Sequence, residues 1–75
     1  MPPEEVIAKV FGVPLIDVTD DTSNTTVSTW DSLAHITLIL ELEATYRVSL
    51  LPEEVFNMTS VASIKKVLGS RGINW

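Results

Sequence analysis

The sequence contains no cysteine, only one histidine and three glycines, and no long apolar run. Without cysteine the chain has no disulfide and no thiol nucleophile, and one histidine cannot hold a metal ion by itself. No stretch approaches the roughly 20 apolar residues of a membrane-spanning helix. The opening Met-Pro-Pro-Glu-Glu lacks the basic start and apolar stretch of a secretory signal. We therefore expect a soluble, cytoplasmic protein without a metal site.

What the chain does have is enough apolar material for one small core, with 45% hydrophobic residues among 75. This length allows one domain and is too short for two. We expect a single domain over residues 1–75, with a helical core from about residue 3 to residue 68 and a short tail over 69–75.

Acidic residues outnumber basic ones by ten to five, which gives a net charge of −5. All ten acids lie in residues 1–56, whereas residues 57–75 contain three bases and no acid. An acidic body repels a phosphate backbone, so we expect no nucleic-acid partner. Such a surface either docks onto basic patches of other proteins or serves only to keep the chain soluble.

Four segments show helical spacing and none shows a hairpin pattern, so the predicted fold class is all-α. The predicted helices span Pro3 to Phe11, Asp31 or Ser32 to about Tyr46, and Pro52 to Phe56. A fourth runs from a cap at Thr59 or Ser60 to a stop at Gly69.

The connection between the first two helices is unusually long, from Val13 to about Trp30. Loops of this length in a compact domain tend to be functional or disordered. Its apolar residues are the expected anchors to the core, namely Leu15, Ile16, Val18 and Val27.

The second helix has two apolar stripes when its residues are placed at about 100° per residue. The core stripe, expected to face the other helices, consists of His35, Leu38, Ile39, Leu42 and Tyr46. The outer stripe consists of Leu33, Ile36 and Leu40. Either several helices surround this one, or the outer stripe docks another protein.

Catalytic motifs are missing: the sequence has no glycine-rich phosphate loop and no His-Glu-x-x-His arrangement. A Ser-His-Asp triad would need His35 beside Ser32, but the helical spacing directs His35 toward the core. Asp31 and Ser32 either just cap the helix, or Ser32 is a modification site. A phosphate ester there would lie near free backbone N–H groups, and another enzyme would have to attach it because no base is adjacent.

The Trp30-Asp31-Ser32-Leu33 segment, with the helix that follows it, resembles the acyl carrier proteins. The Pro52-Glu53-Glu54 and Thr59-Ser60-Val61 segments extend the resemblance, which covers nearly the whole chain to about Leu68. The resemblance implies a small four-helix bundle with a long first loop and a short third helix. It also implies that a phosphopantetheinyl transferase attaches 4′-phosphopantetheine from coenzyme A to Ser32. The thiol of this arm would hold acyl groups as thioesters.

The charge and small size of the chain offer no self-complementary surface, so a monomer is expected. The resemblance implies roles for other residues of a non-catalytic carrier. Asp31 would help the transferase to recognise the site, and the outer stripe of Leu33, Ile36 and Leu40 would contact acyl-loading and acyl-processing enzymes. The residues implied to line an acyl pocket are His35, Ile39, Leu42 and Met58. The expected pathway is fatty acid or specialised lipid or polyketide-type biosynthesis.

The sequence departs from the acyl carrier pattern around Ser32. Ala34 and Thr37 stand where general fatty acid carriers usually have acids, and the helix keeps only Glu41 and Glu43. Trp30 replaces a small residue, and either packs the loop against the bundle or shapes a partner contact. These departures indicate a specialised, free-standing carrier with dedicated enzymes. The alternatives are an aminoacyl or peptidyl carrier, including alanyl carriers, and an unmodified protein-interaction module.

Overall fold

A computed structural model describes residues 1–75 as four α-helices and one 3-10 turn. The helices are α1 (Pro3–Phe11), α2 (Ser32–Tyr46), α3 (Pro52–Asn57) and α4 (Val61–Ser70), and the 3-10 turn spans Leu15–Asp17. The one β-type pairing is an isolated bridge between Ser23 and Ser60. None of the helices has the length and apolar content needed to cross a membrane. The predicted all-α fold, with a long first loop and a short third helix, is confirmed.

The helix ends follow local signals in the sequence. Asp31 caps α2, since its Oδ1 accepts a hydrogen bond from the Ala34 N–H at 2.8 Å. Gly12 ends α1 in the left-handed conformation, with φ of 66°. The predicted stop of the last helix at Gly69 is wrong, because α4 continues to Ser70. Gly69 keeps helical geometry and the left-handed glycine is Gly72, at φ of 75°, so the helical core extends beyond the predicted residue 68.

The core lies between α1, α2 and α4 and contains twelve buried hydrophobic residues. These are Val6, Ile7, Phe11, Val18, Trp30, Leu38, Ile39, Leu42, Met58, Val61, Ile64 and Leu68. Each helix supplies residues at the three- and four-residue spacing that places side chains on one face. α3 is the exception because none of its residues is buried.

The long loop is tied by its backbone to the start of α4. The Val61 N–H donates to the Thr22 carbonyl at 2.9 Å, and the Asn24 N–H donates to the Thr59 carbonyl at 3.0 Å. Val18 is buried and anchors the loop as predicted, and Val27 packs partly against the core. The prediction that Leu15 and Ile16 also anchor it is wrong, since they are 50% and 89% exposed. The 3-10 turn directs them to solvent, and only Val18, which follows the turn, returns to the core.

Trp30 packs the end of the loop against the bundle. Its side chain is 5% exposed, and its ring stacks on Phe11 of α1 with a centroid separation of 4.7 Å. The interpretation in which Trp30 packs the loop is thus confirmed.

Ion pairs centred on Lys65 and Arg71 join elements that are distant in sequence. Lys65 of α4 contacts Glu4 of α1 at 2.6 Å and Asp20 of the loop at 2.9 Å. The side-chain hydrogen bond to Asp20, followed by that to Glu4, raises the pKa of Lys65. Arg71, directly after α4, donates to the Glu54 carboxylate of α3 through both Nε and a terminal nitrogen. This pair fixes α3 to the end of α4.

Candidate functional site

Ser32 is the first residue of α2 and its side chain is exposed. The Asp31 cap uses the Ala34 N–H, and the Asp31 carbonyl accepts from the His35 N–H at 2.8 Å. The backbone N–H groups of Ser32 and Leu33 have no partner within the helix. The positive end of α2 therefore faces outward beside the Ser32 hydroxyl.

A cleft of about 580 Å³ lies next to Ser32, between the start of α2, α3 and the end of the loop. Its four hydrophobic lining residues are Trp30, Ile36, Val55 and Phe56. Its other lining residues are Asn24, Asp31, Ser32, His35 and Thr59. The cleft therefore combines an apolar surface with polar atoms at the point where Ser32 is attached.

His35 lies inside this cleft with both ring nitrogens engaged. The Trp30 Nε1–H donates to His35 Nδ1 at 2.9 Å, and His35 Nε2 lies 2.9 Å from the Val55 carbonyl oxygen. Since Nδ1 accepts, the hydrogen-bond network assigns the ring proton to Nε2, which donates to Val55. Neither nitrogen is free to accept a proton from Ser32, so the two residues do not form a serine-nucleophile pair.

The two stripes of α2 differ in exposure, which decides between the alternatives that the spacing left open. Leu38 and Leu42 are 0% exposed, whereas Leu33, Ile36 and Leu40 are 75%, 57% and 61% exposed. The outer stripe thus begins one residue after Ser32 and continues along the free face of the helix. No other helix of the chain covers it.

Phe56 is a candidate contact residue that the sequence reasoning missed. It lines the cleft from α3 and is 82% exposed. A six-residue helix is too short for helical spacing to separate a buried face from an exposed one. Its neighbour Val55, which supplies the carbonyl for His35, was missed for the same reason.

The four predicted acyl-pocket residues lie in two places. His35 lines the cleft, but Ile39, Leu42 and Met58 are 7%, 0% and 0% exposed and belong to the core behind it. They are close-packed with the other core residues, and their role in an acyl pocket stays a prediction.

Little negative charge remains on α2 near Ser32. Glu43 accepts a hydrogen bond from the Leu50 N–H at 2.9 Å, and Glu41 lies 3.7 Å from Lys9. Asp31 is therefore the one carboxylate that lines the cleft. No group of three or more histidine, cysteine, aspartate or glutamate side chains is placed to hold a metal ion.

Comparison with solved structures relates this fold to an acyl carrier protein. The chain is similar to the holo acyl carrier protein of Geobacter metallireducens, determined by NMR, with a TM-score of 0.78 and 27% sequence identity. The match covers 93% of this chain and 85% of that chain. No family model and no curated protein sequence matches. The resemblance to acyl carrier proteins is confirmed, and the fold supports a carrier protein in general.

Proposed function

We propose that this chain is a non-catalytic acyl carrier protein, one domain over residues 1–75, whose Ser32 carries 4′-phosphopantetheine. The observation that carries the proposal is the position of Ser32. Its exposed hydroxyl stands at the start of α2 beside a partly apolar cleft. The fold that presents it is similar to that of a holo acyl carrier protein.

The residues around Ser32 fit an attached phosphodiester. The free N–H groups of Ser32 and Leu33 and the positive end of α2 favour a negative group at this point. The Asp31 carboxylate would repel it, but Oδ1 is turned toward the Ala34 N–H and its charge is partly offset there. When bound, the arm supplies a thiol that carries an acyl group as a thioester.

The chain itself contributes presentation rather than chemistry. No base in the structure is free to take the Ser32 proton, because both nitrogens of His35 are occupied. A separate phosphopantetheinyl transferase must therefore remove that proton while the Ser32 oxygen forms its bond to phosphorus. Asp31, next to the hydroxyl, is the charged group that the transferase would recognise.

The outer stripe of Leu33, Ile36 and Leu40 is the surface proposed to contact the acyl-loading and acyl-processing enzymes. Apolar side chains that are more than half exposed on one helix face are typical of a docking surface. Because Asp31 is the one free carboxylate nearby, docking to strongly basic partners would gain little rate from electrostatic attraction. This supports a specialised carrier with dedicated enzymes of lipid or polyketide-type biosynthesis, which we further propose to be monomeric and cytoplasmic.

Intact-protein mass spectrometry tests the proposal directly. The folded chain is incubated with coenzyme A, magnesium and a broad-specificity phosphopantetheinyl transferase. The wild type and Ser28→Ala, which removes another exposed serine, should both gain one phosphopantetheine. Ser32→Ala should gain none. No gain on the folded wild type, or a gain on Ser32→Ala, would contradict the proposal.

An aminoacyl or peptidyl carrier is the second candidate. It is favoured by Ala34 and Thr37, which leave the helix without the acids usual in general fatty acid carriers. Loading the holo protein with fatty acids and with amino acids, each with its activating enzyme, separates the two. Selective acceptance of an amino acid would replace the acyl proposal.

A further inference from the structure

A row of aromatic rings crosses the bundle directly behind Ser32. Phe11 of α1 stacks on Trp30 of the loop at 4.7 Å, and Trp30 lies 6.2 Å from the His35 ring of α2 at an interplanar angle of 21°. The Trp30 N–H donates to His35, and His35 in turn donates to the Val55 carbonyl of α3. These two bonds, here called the Trp30–His35–Val55 relay, join the loop, α2 and α3.

Trp30 belongs both to the wall of the cleft and to the buried core. It lines the cleft of about 580 Å³ next to Ser32 and is one of the twelve buried core residues. Leu42 and Met58 belong to the same core, are both 0% exposed and do not line the cleft. α3 has no fully buried residue, so its position against α2 depends on the partial packing of Val55 against the core and on polar ties such as the His35–Val55 bond.

We propose, on the basis of the carrier function above, that the relay closes the core to the cargo. The cargo class is therefore short acyl groups that lie in the cleft, and long straight chains are not taken up between the helices. Trp30 and His35 are the residues that set this limit.

Insertion of a long acyl chain into the core is unfavourable because it would break the hydrogen bonds of the relay. A chain that passed from Ser32 to Met58 would have to part α2 from α3 or displace the Trp30 ring. Either movement breaks a hydrogen bond of the relay and leaves a largely buried N–H or carbonyl group unpaired. The cleft, in contrast, already offers the apolar side chains of Ile36 and Phe56 without any such loss.

A chemically attached chain tests the relay without any transferase. Because the chain has no cysteine, Ser32→Cys provides one thiol that can be coupled to ethyl, butyl and octyl thiosulfonates. The readouts are the NMR signals of the Trp30 indole N–H and the Met58 methyl group. We expect the octyl group to shift the Met58 signal no more than the ethyl group does. In the same background with His35→Leu, the octyl group should shift it clearly.

Two further variants keep the test decisive if His35→Leu does not fold. Trp30→Phe retains a stacked ring but removes the N–H donor, so it should open the core in the same way. His35→Gln retains one acceptor and one donor and should behave as the unsubstituted relay. Two outcomes would overturn the proposal. One is a Met58 signal that the octyl group shifts while the relay is intact. The other is a Met58 signal that the octyl group does not shift in any folded variant that lacks the relay.

The holo protein provides the matching test with its own arm. Butyryl and octanoyl thioesters of the wild type should be cleaved by hydroxylamine at similar rates. In His35→Leu the octanoyl thioester should be cleaved several-fold more slowly, since its chain is sheltered. If the octanoyl thioester of the wild type were strongly protected from hydroxylamine, the relay would not limit the length of the acyl chain that enters the core. Failure to attach the arm at all would refute the carrier proposal alone, because the alkylated Ser32→Cys protein still decides the role of the relay.

Discussion

Truncation of Leu42 to alanine should remove a large part of the stability of the fold. Leu42 is 0% exposed and lies at the centre of the core stripe of α2. Buried Leu→Ala substitutions cost about 2–5 kcal/mol, since they lose apolar burial and leave a cavity. A core of this size supplies roughly 3–5 kcal/mol in total. A loss of about 3 kcal/mol would lower the melting temperature by roughly 10–25 °C in a domain of this length.

Leu40→Ala is the matched control on the same helix. Leu40 is 61% exposed, so only about two-fifths of a full burial energy of about 1.5–3 kcal/mol is at stake, or roughly 1 kcal/mol. Thermal and urea unfolding followed by circular dichroism measure both variants. Leu40→Ala should also reduce turnover by partner enzymes while it leaves the fold intact. Equal losses of melting temperature in the two variants would refute the division of α2 into a core stripe and an outer stripe.

Four other substitutions, at Asp31, Glu54 and Trp30, test single contacts at or near the site. Asp31→Asn keeps a helix cap and should retain stability but slow the transferase, whereas Asp31→Ala should also lose about 1 kcal/mol of unfolding free energy. The Arg71 hydrogen bond lowers the pKa of Glu54 below its ordinary 4.5, so this pair stabilises the fold above that pH and the contribution is lost on acidification. The melting temperature of Glu54→Gln should therefore be lower than that of the wild type at neutral pH and should fall less on acidification. A melting temperature with the same pH dependence as the wild type would contradict this. Trp30→Phe should lower the unfolding free energy by about 1–3 kcal/mol, since it leaves His35 Nδ1 without its donor, and chemical denaturation measures the loss.

The helices could be predicted from the sequence because their ends depend on nearby residues. The local signals are Pro3 with two glutamates, Asp31 before the second helix and Pro52 at the first position of the third, and the structure begins the helices at these points. The end of α4 was mispredicted because two glycines, Gly69 and Gly72, lie close together. Only the folded backbone shows which of them adopts the left-handed conformation.

In the candidate site, too, local features could be predicted and contacts between distant residues could not. Helical spacing predicts the two stripes of α2, and the capping residues predict a helix start at Asp31 or Ser32, but only the folded chain shows that the outer stripe is left exposed. The contacts of His35 could not be predicted, because they depend on how α3 is placed against α2. His35 and Val55 are 20 positions apart in sequence, and no local pattern specifies that a backbone carbonyl will accept the imidazole N–H.

α3 forms one wall of the cleft and is held in place by few contacts. A helix of six residues is not stable by itself, and α3 has no buried side chain to hold it. Val55 packs partly against the core, and the polar ties of α3 are the His35–Val55 bond at one side and the Glu54–Arg71 pair at the other. The Leu38, Leu42 and Ile64 packing that stabilises the bundle does not depend on either tie. Under the proposed function, His35→Leu is therefore expected to alter the depth of the cleft, and with it the acyl group accommodated, while the core packing that supports Ser32 is kept.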